Sequence, residues 1–147
     1  NELTYEFLNT TSQSGPIHDK DGLVFAGRDT YYHNSAYPDG WSYFGSIIGN
    51  PYIQVDNSRV RAHFVGLGGD IYGYKYKMMA SHVNNYGTYQ HPSYSTSTAL
   101  MLEVSHLFEK AWGLEFSLGL AGDIGTQFGN QFGAMLTIRK QGIITQW

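Results

Sequence analysis

Six segments of the chain alternate apolar and polar residues with a period of two, and none keeps a helical period. In the clearest segment, residues 112–125, every second position from Leu114 to Leu120 is apolar. Successive side chains of a strand point to opposite faces, so this alternation predicts a strand with one apolar face. The other segments are residues 2–9, 59–65, 71–83, 98–108 and 130–140, and in the second of these the apolar row runs from Val60 to Phe64. We therefore expect an all-β fold, an antiparallel up-and-down meander of about six strands.

The spacing of these segments predicts two kinds of connection. Leu67-Gly68-Gly69-Asp70 and Glu109-Lys110-Ala111-Trp112 have the length of tight hairpin turns, whereas residues 10–57 and 84–97 have the length of long loops. Alternate connections of a meander leave the sheet at the same edge, so one edge would carry short turns and the other long loops. Bacterial outer-membrane barrels have this asymmetry, with short periplasmic turns and long extracellular loops. We therefore expect residues 10–57 to be an extracellular loop of a transmembrane β-barrel.

The charged residues of the strands fall mostly on the face opposite the apolar rows. In a barrel the apolar face meets lipid and the opposite face lines a polar lumen, where neighbouring strands place opposite charges within reach of each other. The predicted lumen-facing charges are Lys75, Lys77, Glu103, Glu115, Asp123 and Arg139. We expect the two lysines to lie beside the strand of Glu103, and the strand of Glu115 and Asp123 to lie beside that of Arg139.

The composition of the chain argues against several classes of binding partner. The net charge is −3, and the nine Lys and Arg residues form no block that could neutralise a run of phosphates, which argues against nucleic acid. The absence of cysteine excludes disulfides and thiolate metal sites. No apolar run approaches the roughly 18 to 20 residues of a spanning helix, but spanning strands remain compatible with the sequence because their apolar residues alternate with polar ones.

Five stretches resemble, in the same order, the C-terminal part of capsule assembly proteins of the Wzi family, and together they span nearly the whole chain. They are EFLNTTSQSGPIHDKDG, YYHNSAYPDGWSYFGSIIGNP, RVRAHFVGLGGDIYGYKYKMMASHVNNYGTY, AWGLEFSLGLAGDIG and GNQFGAMLTIRKQG. The resemblance implies a large, many-stranded outer-membrane barrel of a Gram-negative bacterium, with a helical plug on the periplasmic side. It also implies a lectin-like role in holding capsular polysaccharide at the cell surface.

The chain is shorter than members of that family. Its six or so predicted strands are too few to close a barrel, which needs at least about eight. Residues 1–147 are therefore expected to be the C-terminal segment of an outer-membrane barrel domain, and the start at Asn1, without Met or a leader, fits a processed or internal beginning. The remaining strands would come from upstream sequence or from another chain, because a lone sheet would leave two unpaired edges in hydrocarbon. The other expected partners are capsular or other surface polysaccharide and outer-membrane lipid.

The long loop carries aromatic, amide and carboxylate side chains of the kind that bind sugars. An aromatic ring covers the C–H face of a pyranose, while carboxylates and amides form hydrogen bonds with its hydroxyls. The candidate glycan-binding residues are Tyr31, Tyr32, Asp39, Trp41 and Tyr43. The same rings would also suit an aromatic belt at the membrane interface, or the packing of the loop on itself. The loop as a whole is therefore a firmer prediction than any one residue in it.

Catalysis and metal binding have only weak signals in the sequence. His18, Asp19 and Asp21 are better explained as turn residues that bind backbone amides than as metal ligands. Ser81 and His82 are adjacent in a predicted strand, so they point to opposite faces and cannot act as a dyad. We therefore predict no catalytic residue, no metal and no cofactor. Two alternatives stay open: a structural subunit of a larger outer-membrane assembly, and a diffusion pore whose lumen charges set ion selectivity.

Overall fold

A computed structural model of the chain describes residues 1–12, 15, 18–26, 32, 36–109 and 113–140, with the backbone alone for residues 18–20 and 24–26. The described residues contain ten strands and no helix. The strands are β1 (Glu2–Asn9), β2 (His18–Lys20), β3 (Leu23–Ala26), β4 (Ser42–Tyr43), β5 (Ser46–Ile47), β6 (Val60–Ile71), β7 (Tyr74–Gly87), β8 (Pro92–Phe108), β9 (Leu114–Gly125) and β10 (Gln131–Lys140).

Six of these strands form one antiparallel sheet in the order β1-β6-β7-β8-β9-β10. Strands that follow one another in the chain are therefore neighbours in the sheet, except that the four short strands β2 to β5 intervene between β1 and β6. The short strands pair as two separate hairpins, β2 with β3 and β4 with β5. The predicted all-β class and the antiparallel meander of six strands are confirmed.

The first hairpin turn of the sheet lies further along the chain than predicted. Leu67-Gly68-Gly69-Asp70 was expected to be the turn, but β6 continues to Ile71 and the turn consists of Tyr72 and Gly73. Their φ angles are 53° and 82°, and positive φ at both positions is typical of the turn type that matches the twist of a hairpin. The side-chain Oδ1 of Asp70 accepts a hydrogen bond from the Gly73 amide at 2.9 Å, which closes the turn.

The glycines of β6 serve close packing instead of a turn. A Cβ atom at Gly69 would overlap the Asn1 side chain and the ring of Tyr76. The Tyr76 hydroxyl donates a hydrogen bond to Asn1 Oδ1 at 3.2 Å, directly over this glycine. Glycine inside a strand often marks such a close approach, and this explains why the Gly-rich stretch was mistaken for a connection.

The predicted long loop over residues 84–97 is also wrong. Strand β7 extends to Gly87 and β8 begins at Pro92, so residues 88–91 are a short turn. The polar residues of this stretch suggested a loop, but Asn85 is buried in the structure and its side chain is hydrogen-bonded to Asn57. The predicted alternation of short and long connections is therefore not borne out at this position, and the long connection is the one between β1 and β6.

The chain divides into two compact units, each described here by itself. The sheet unit comprises residues 1–6, 64–81 and 98–147, and the loop unit comprises residues 7–63 and 82–97. The buried apolar side chains all belong to the loop unit; they are Ile47, Tyr52, Ile53, Val60, Ala62 and Val83. Within the described part of the sheet unit no side chain is fully buried. The described residues of the sheet unit therefore form a single layer without a buried core.

Candidate functional site

The sheet unit presents one continuous apolar face. Ring contacts show that neighbouring strands direct aromatic side chains to the same side: Tyr74 stacks on His106 with ring centroids 4.4 Å apart. Phe108 contacts His106 at 4.5 Å and Phe116 at 5.7 Å, both edge to face. Strands β7, β8 and β9 therefore share this face, which we call the apolar face.

The outer strands extend the apolar face. In the register of β9 with β10, Leu118 lies opposite Leu136 and Phe116 lies opposite Ile138. At the other end of the sheet, the side chains of Asn1 and Tyr76 both lie where a Cβ atom of Gly69 would be. The odd-numbered residues of β1 and β6 are therefore on the same side of the sheet as Tyr76, which is the apolar face. Each strand contributes an exposed apolar side chain to this face: Leu3, Val65, Met78, Leu102, Leu118 and Leu136.

The row from Leu114 to Leu120 was expected to point away from any protein core, and the structure confirms its exposure. Leu118 is 51% exposed, Phe116 and Leu120 are exposed as well, and Leu114 is half-buried. In β6 the predicted alternation from Val60 to Phe64 is present, but Val60 and Ala62 are buried in the loop unit instead of facing outward. The exposed apolar residues of β6 are Val65, Leu67 and Ile71, which have the opposite parity. Because Gly66, Gly68 and Gly69 have no side chains, the sequence does not show where the apolar side chains change from even to odd positions.

The opposite face of the sheet unit carries the predicted charges. Arg139 lies directly opposite Glu115 in the register of β9 with β10, and a guanidinium nitrogen lies 3.7 Å from a Glu115 carboxylate oxygen. The Ser117 hydroxyl donates to Glu103 Oε1 at 2.7 Å, which places Glu103 on the same face as the Ser117 row. We call this the ionic face.

The remaining charges lie on the strands expected for them. Lys75 and Lys77 are exposed on β7, next to the β8 strand that carries Glu103, but among the described residues no ion pair joins either lysine to it. Asp123 lies opposite Gln131, far along β9 from the Glu115 and Arg139 pair. The strand neighbours were thus predicted correctly, whereas the partner of Glu103 is a serine hydroxyl instead of a lysine.

In the loop unit, β4 and β5 form a small hairpin with exposed aromatic side chains. The two connecting residues, Phe44 and Gly45, have φ angles of 49° and 80°, so this turn resembles that between β6 and β7. Phe44 is 92% exposed and Trp41 is 78% exposed. The rings of Tyr43 and Phe44 meet edge to face at 4.5 Å. We call residues 41–48 the aromatic hairpin.

The residues that follow the aromatic hairpin fix its position through backbone hydrogen bonds. The Ile47 amide donates to the Ile53 carbonyl at 2.9 Å, and the Val55 amide donates to the Gly45 carbonyl at 3.0 Å. Ile47 and Ile53 are both buried. The exposed rings therefore project from a base with an apolar core and backbone hydrogen bonds, which limits the conformational freedom they would lose on binding a ligand.

Asn57 joins this base to β7. Its side-chain amide donates to Asn85 Oδ1 at 2.7 Å and to the Tyr52 carbonyl at 3.1 Å, and its Oδ1 accepts from the Gly87 amide at 3.0 Å. Asn57 and Asn85 are both buried. Buried polar groups that are fully hydrogen-bonded specify one arrangement, so the residues after the hairpin have a fixed position on the end of β7.

The predicted glycan-binding residues are only partly brought together. Tyr31 lies outside the described residues. Tyr32 is half-buried, its carbonyl accepts from the Trp41 amide at 3.1 Å, and burial raises the pKa of its hydroxyl. Asp39, Trp41 and Tyr43 are exposed. The Asp39 carbonyl, not its carboxylate, is used locally, as the acceptor for the Ser42 hydroxyl.

Phe44 was missed by sequence reasoning, although a signal for it exists. An aromatic residue followed by Gly45, between two short pairs of strand residues, fits a two-residue turn in which the glycine has positive φ. Within the described residues no group of three or more His, Asp and Glu side chains is placed to hold a metal ion. None of the described elements is a helix long and apolar enough to cross a membrane.

Comparisons of the chain with protein-family models, with curated proteins and with solved structures find no match.

Proposed function

We propose that this chain is a segment of a transmembrane β-barrel in the outer membrane of a Gram-negative bacterium, similar to the C-terminal strands of the Wzi family. The observation that carries the proposal is the single-layer sheet unit, which has an exposed apolar face and an ionic face and lacks a fully buried side chain among its described residues. A sheet in water must bury its apolar face against a second layer. In a barrel, lipid covers that face.

The ionic face and the strand lengths support the same proposal. Pairing of Glu115 with Arg139 across neighbouring strands suits a polar lumen, where charges can remain hydrated. Strands β6 to β10 have 10 to 17 residues each, whereas a tilted strand needs roughly 9 to 11 residues to span the hydrocarbon layer.

The proposal requires additional strands. The sheet is open, with β1 and β10 at its two edges, and an open edge in hydrocarbon leaves backbone groups without hydrogen bonds. Upstream sequence of the same protein, or another chain, would pair with these edges and close the barrel. Functional tests of this protein therefore require the complete barrel.

We propose further that the protein is not an enzyme and that it attaches capsular polysaccharide to the cell surface. The aromatic hairpin supports this role, because Trp41 and Tyr43 offer exposed rings for pyranose stacking and the exposed Asp39 precedes Trp41 by two residues. Tyr32, whose carbonyl accepts from the Trp41 amide, would extend this surface. Tyr31 stays a predicted glycan-binding residue outside the described part of the chain.

A binding assay tests the proposal. Immobilised capsular polysaccharide from the source bacterium is titrated with the complete barrel carrying Trp41→Ala, Tyr43→Ala or Asp39→Ala. Each change is expected to weaken binding by at least about twofold, since stacking and sugar hydrogen bonds contribute about 0.5–1.5 kcal/mol each. Tyr72→Ala is the matched control, because Tyr72 is a 97% exposed turn tyrosine of the sheet unit. Unchanged binding in all three variants would remove the glycan role of this hairpin.

Two alternatives use the same observations differently. The aromatic hairpin could contact protein in a larger outer-membrane assembly, and the exposed Lys75 and Lys77 could set the ion selectivity of a diffusion pore. Conductance of the complete barrel in planar bilayers separates the pore from the other two roles. A stable partner protein that co-purifies only when Trp41 and Tyr43 are intact would favour the structural role.

A further inference from the structure

The parts of β6 and β7 that belong to the loop unit have one buried side and one exposed side. Val60 and Val83 are buried. Because side chains alternate along a strand, Arg61, His63 and His82 point to the opposite side. Arg61 and His82 are exposed there, and His63 is half-buried. The exposed side of these strands therefore carries basic side chains.

The register of β6 with β7 brings the two histidines together. The Tyr86 amide donates to the Arg59 carbonyl at 2.8 Å, so these two residues face each other across the antiparallel ladder. Counting forward along β6 and back along β7 places His63 directly opposite His82, and counting from the two-residue turn at the other end of the hairpin gives the same pairing. Directly opposite residues have Cβ atoms about 5 Å apart, so both imidazoles can reach one ligand.

Arg61 and Phe7 border the two histidines. The ring of Phe7 in β1 contacts the His63 ring, with centroids 4.9 Å apart, so β1 contributes to the same side. Arg61 precedes His63 in the same row of β6. Among the described residues none forms an ion pair with Arg61. Its guanidinium therefore offers an exposed positive charge beside the imidazoles.

Arg59 continues the row with a second guanidinium. This group lies 4.2 Å from the centre of the Tyr89 ring, and its Nε donates to the Thr11 carbonyl at 3.3 Å, which fixes its position. Over the described residues of β1, β6 and β7, the row of side chains on this side contains no Asp or Glu. No carboxylate of these rows therefore neutralises the four basic residues, which we call the basic cluster: Arg59, Arg61, His63 and His82.

The same rows become apolar immediately next to the basic cluster. After His63 the row of β6 continues with Val65 and Leu67, and before His82 the row of β7 contains Met78. These three apolar residues are exposed. A lipid has the matching arrangement, because its charged headgroup is joined directly to apolar acyl chains. Guanidinium groups bind phosphate oxygens through paired hydrogen bonds, and each imidazole has an N–H that can donate to the same group.

We propose that the basic cluster binds the phosphate group of an anionic lipid, whose acyl chains lie on the adjacent apolar residues of β6 and β7. The inference rests on the proposed outer-membrane location, and it adds the chemical class of lipid and the residues that hold it. Arg61 donates to the phosphate oxygens, and the N–H groups of His63 and His82 donate beside it. A free phosphate ion would lack the contacts of the acyl chains with Val65 and Met78.

A lipid titration tests the proposal. The complete barrel in a non-ionic detergent is titrated with lipid A, with dephosphorylated lipid A and with inorganic phosphate, and native mass spectrometry measures the bound fraction. Lipid A is expected to bind at least about tenfold more tightly than either of the other two probes. The dephosphorylated lipid loses the charge-assisted hydrogen bonds, and inorganic phosphate loses the burial of apolar chains.

Variants of the basic cluster are measured with the same probes. Arg61→Ala is expected to lower the affinity for lipid A about tenfold, and His82→Ala about threefold, because the hydrogen bonds of a guanidinium to phosphate are the stronger ones. Arg61→Lys keeps the charge without the paired hydrogen bonds and should lie between Arg61→Ala and the unmodified protein. The affinity for dephosphorylated lipid A should be unchanged in all of them, which a general loss of structure would not produce.

Arg139→Ala is the matched control. It removes an exposed arginine from the ionic face of the sheet unit, and the affinity for lipid A should not change. Thermal unfolding of every variant shows whether a loss of binding reflects a loss of folding.

The outcomes separate this inference from the proposed function. A barrel that inserts into vesicles but binds lipid A and its dephosphorylated form equally overturns the lipid site and leaves the proposed location standing. Discrimination between the two lipids that persists in full in Arg61→Ala and His82→Ala also overturns the site. Inorganic phosphate that binds as tightly as lipid A overturns the assignment to a lipid. Failure of the complete barrel to insert into vesicles of any composition overturns both the proposed function and this inference.

Discussion

Asn57 shows how one side chain can fix the position of a long connection. It is buried and uses its amide nitrogen and its amide oxygen to join Tyr52, Asn85 and Gly87. An apolar residue at this position would remove all three hydrogen bonds from a buried site. The sequence shows an asparagine in a polar stretch and cannot show that its partner lies on a strand 28 residues away.

Asn57→Ala is expected to destabilise the loop unit by about 2–3 kcal/mol, since it removes the buried hydrogen bonds of Asn57 with Asn85 and with the Gly87 amide. Hydrogen exchange of the amides over residues 45–58 measures the effect. Asn130→Ala is the control, because Asn130 Oδ1 accepts from the Gly125 amide at 3.2 Å in an exposed turn. Comparable exchange in both variants would show that the buried amide network contributes little.

Gly69→Ala is expected to destabilise the protein by about 1–3 kcal/mol, because the added methyl overlaps the Tyr76 ring and the Asn1 side chain. Gly133→Ala is the matched control, since a Cβ atom there has no neighbour within 4 Å. Urea unfolding of the two variants in lipid vesicles gives the comparison. A larger loss of stability in Gly133→Ala than in Gly69→Ala would contradict the packing described for β6.

At the scale of elements, strands β1, β9 and β10 were predicted nearly to their ends because their alternation is uninterrupted. The ends of β6, β7 and β8 were not, for two physical reasons. Glycines in β6 serve a close approach to Tyr76, and polar residues at the end of β7 form hydrogen bonds with the long connection. Of the candidate site, the exposure of Trp41 and Tyr43 followed from their loop position. The support of the hairpin's base by β7 did not, because the hydrogen bond between Asn57 and Asn85 joins residues 28 positions apart.

The two faces of β9 lead to opposite expectations for the same substitution. Leu118→Arg places a charge on the apolar face and is expected to cost about 2–4 kcal/mol near the middle of the bilayer. Ser117→Arg places it on the ionic face beside Glu103, where its effect should be far smaller. Folding efficiency and urea unfolding in vesicles measure both. Equal damage from the two substitutions would show that the apolar face does not meet lipid.

At the scale of the whole molecule, the apolar face of the sheet unit extends over six strands. Soluble monomers rarely expose continuous apolar patches larger than a few hundred Å², so this face needs a cover. The full-length protein is expected in the outer-membrane fraction and should be released by detergent but not by high salt or alkaline carbonate. Its recovery from the soluble periplasm would contradict the proposed location.

The length of β8 has a consequence for the living cell. Its 17 residues extend about 56 Å, or about 40 Å along the membrane normal at a tilt near 45°, whereas the apolar band of such barrels is about 25 Å tall. Roughly 15 Å of strand would then stand in water, and residues 1–147 contain no cysteine to compete with an introduced one. A membrane-impermeant maleimide added to intact bacteria should therefore label Gln90→Cys and not Leu118→Cys. This end of the hairpin would then be accessible to antibodies and phages from outside the cell.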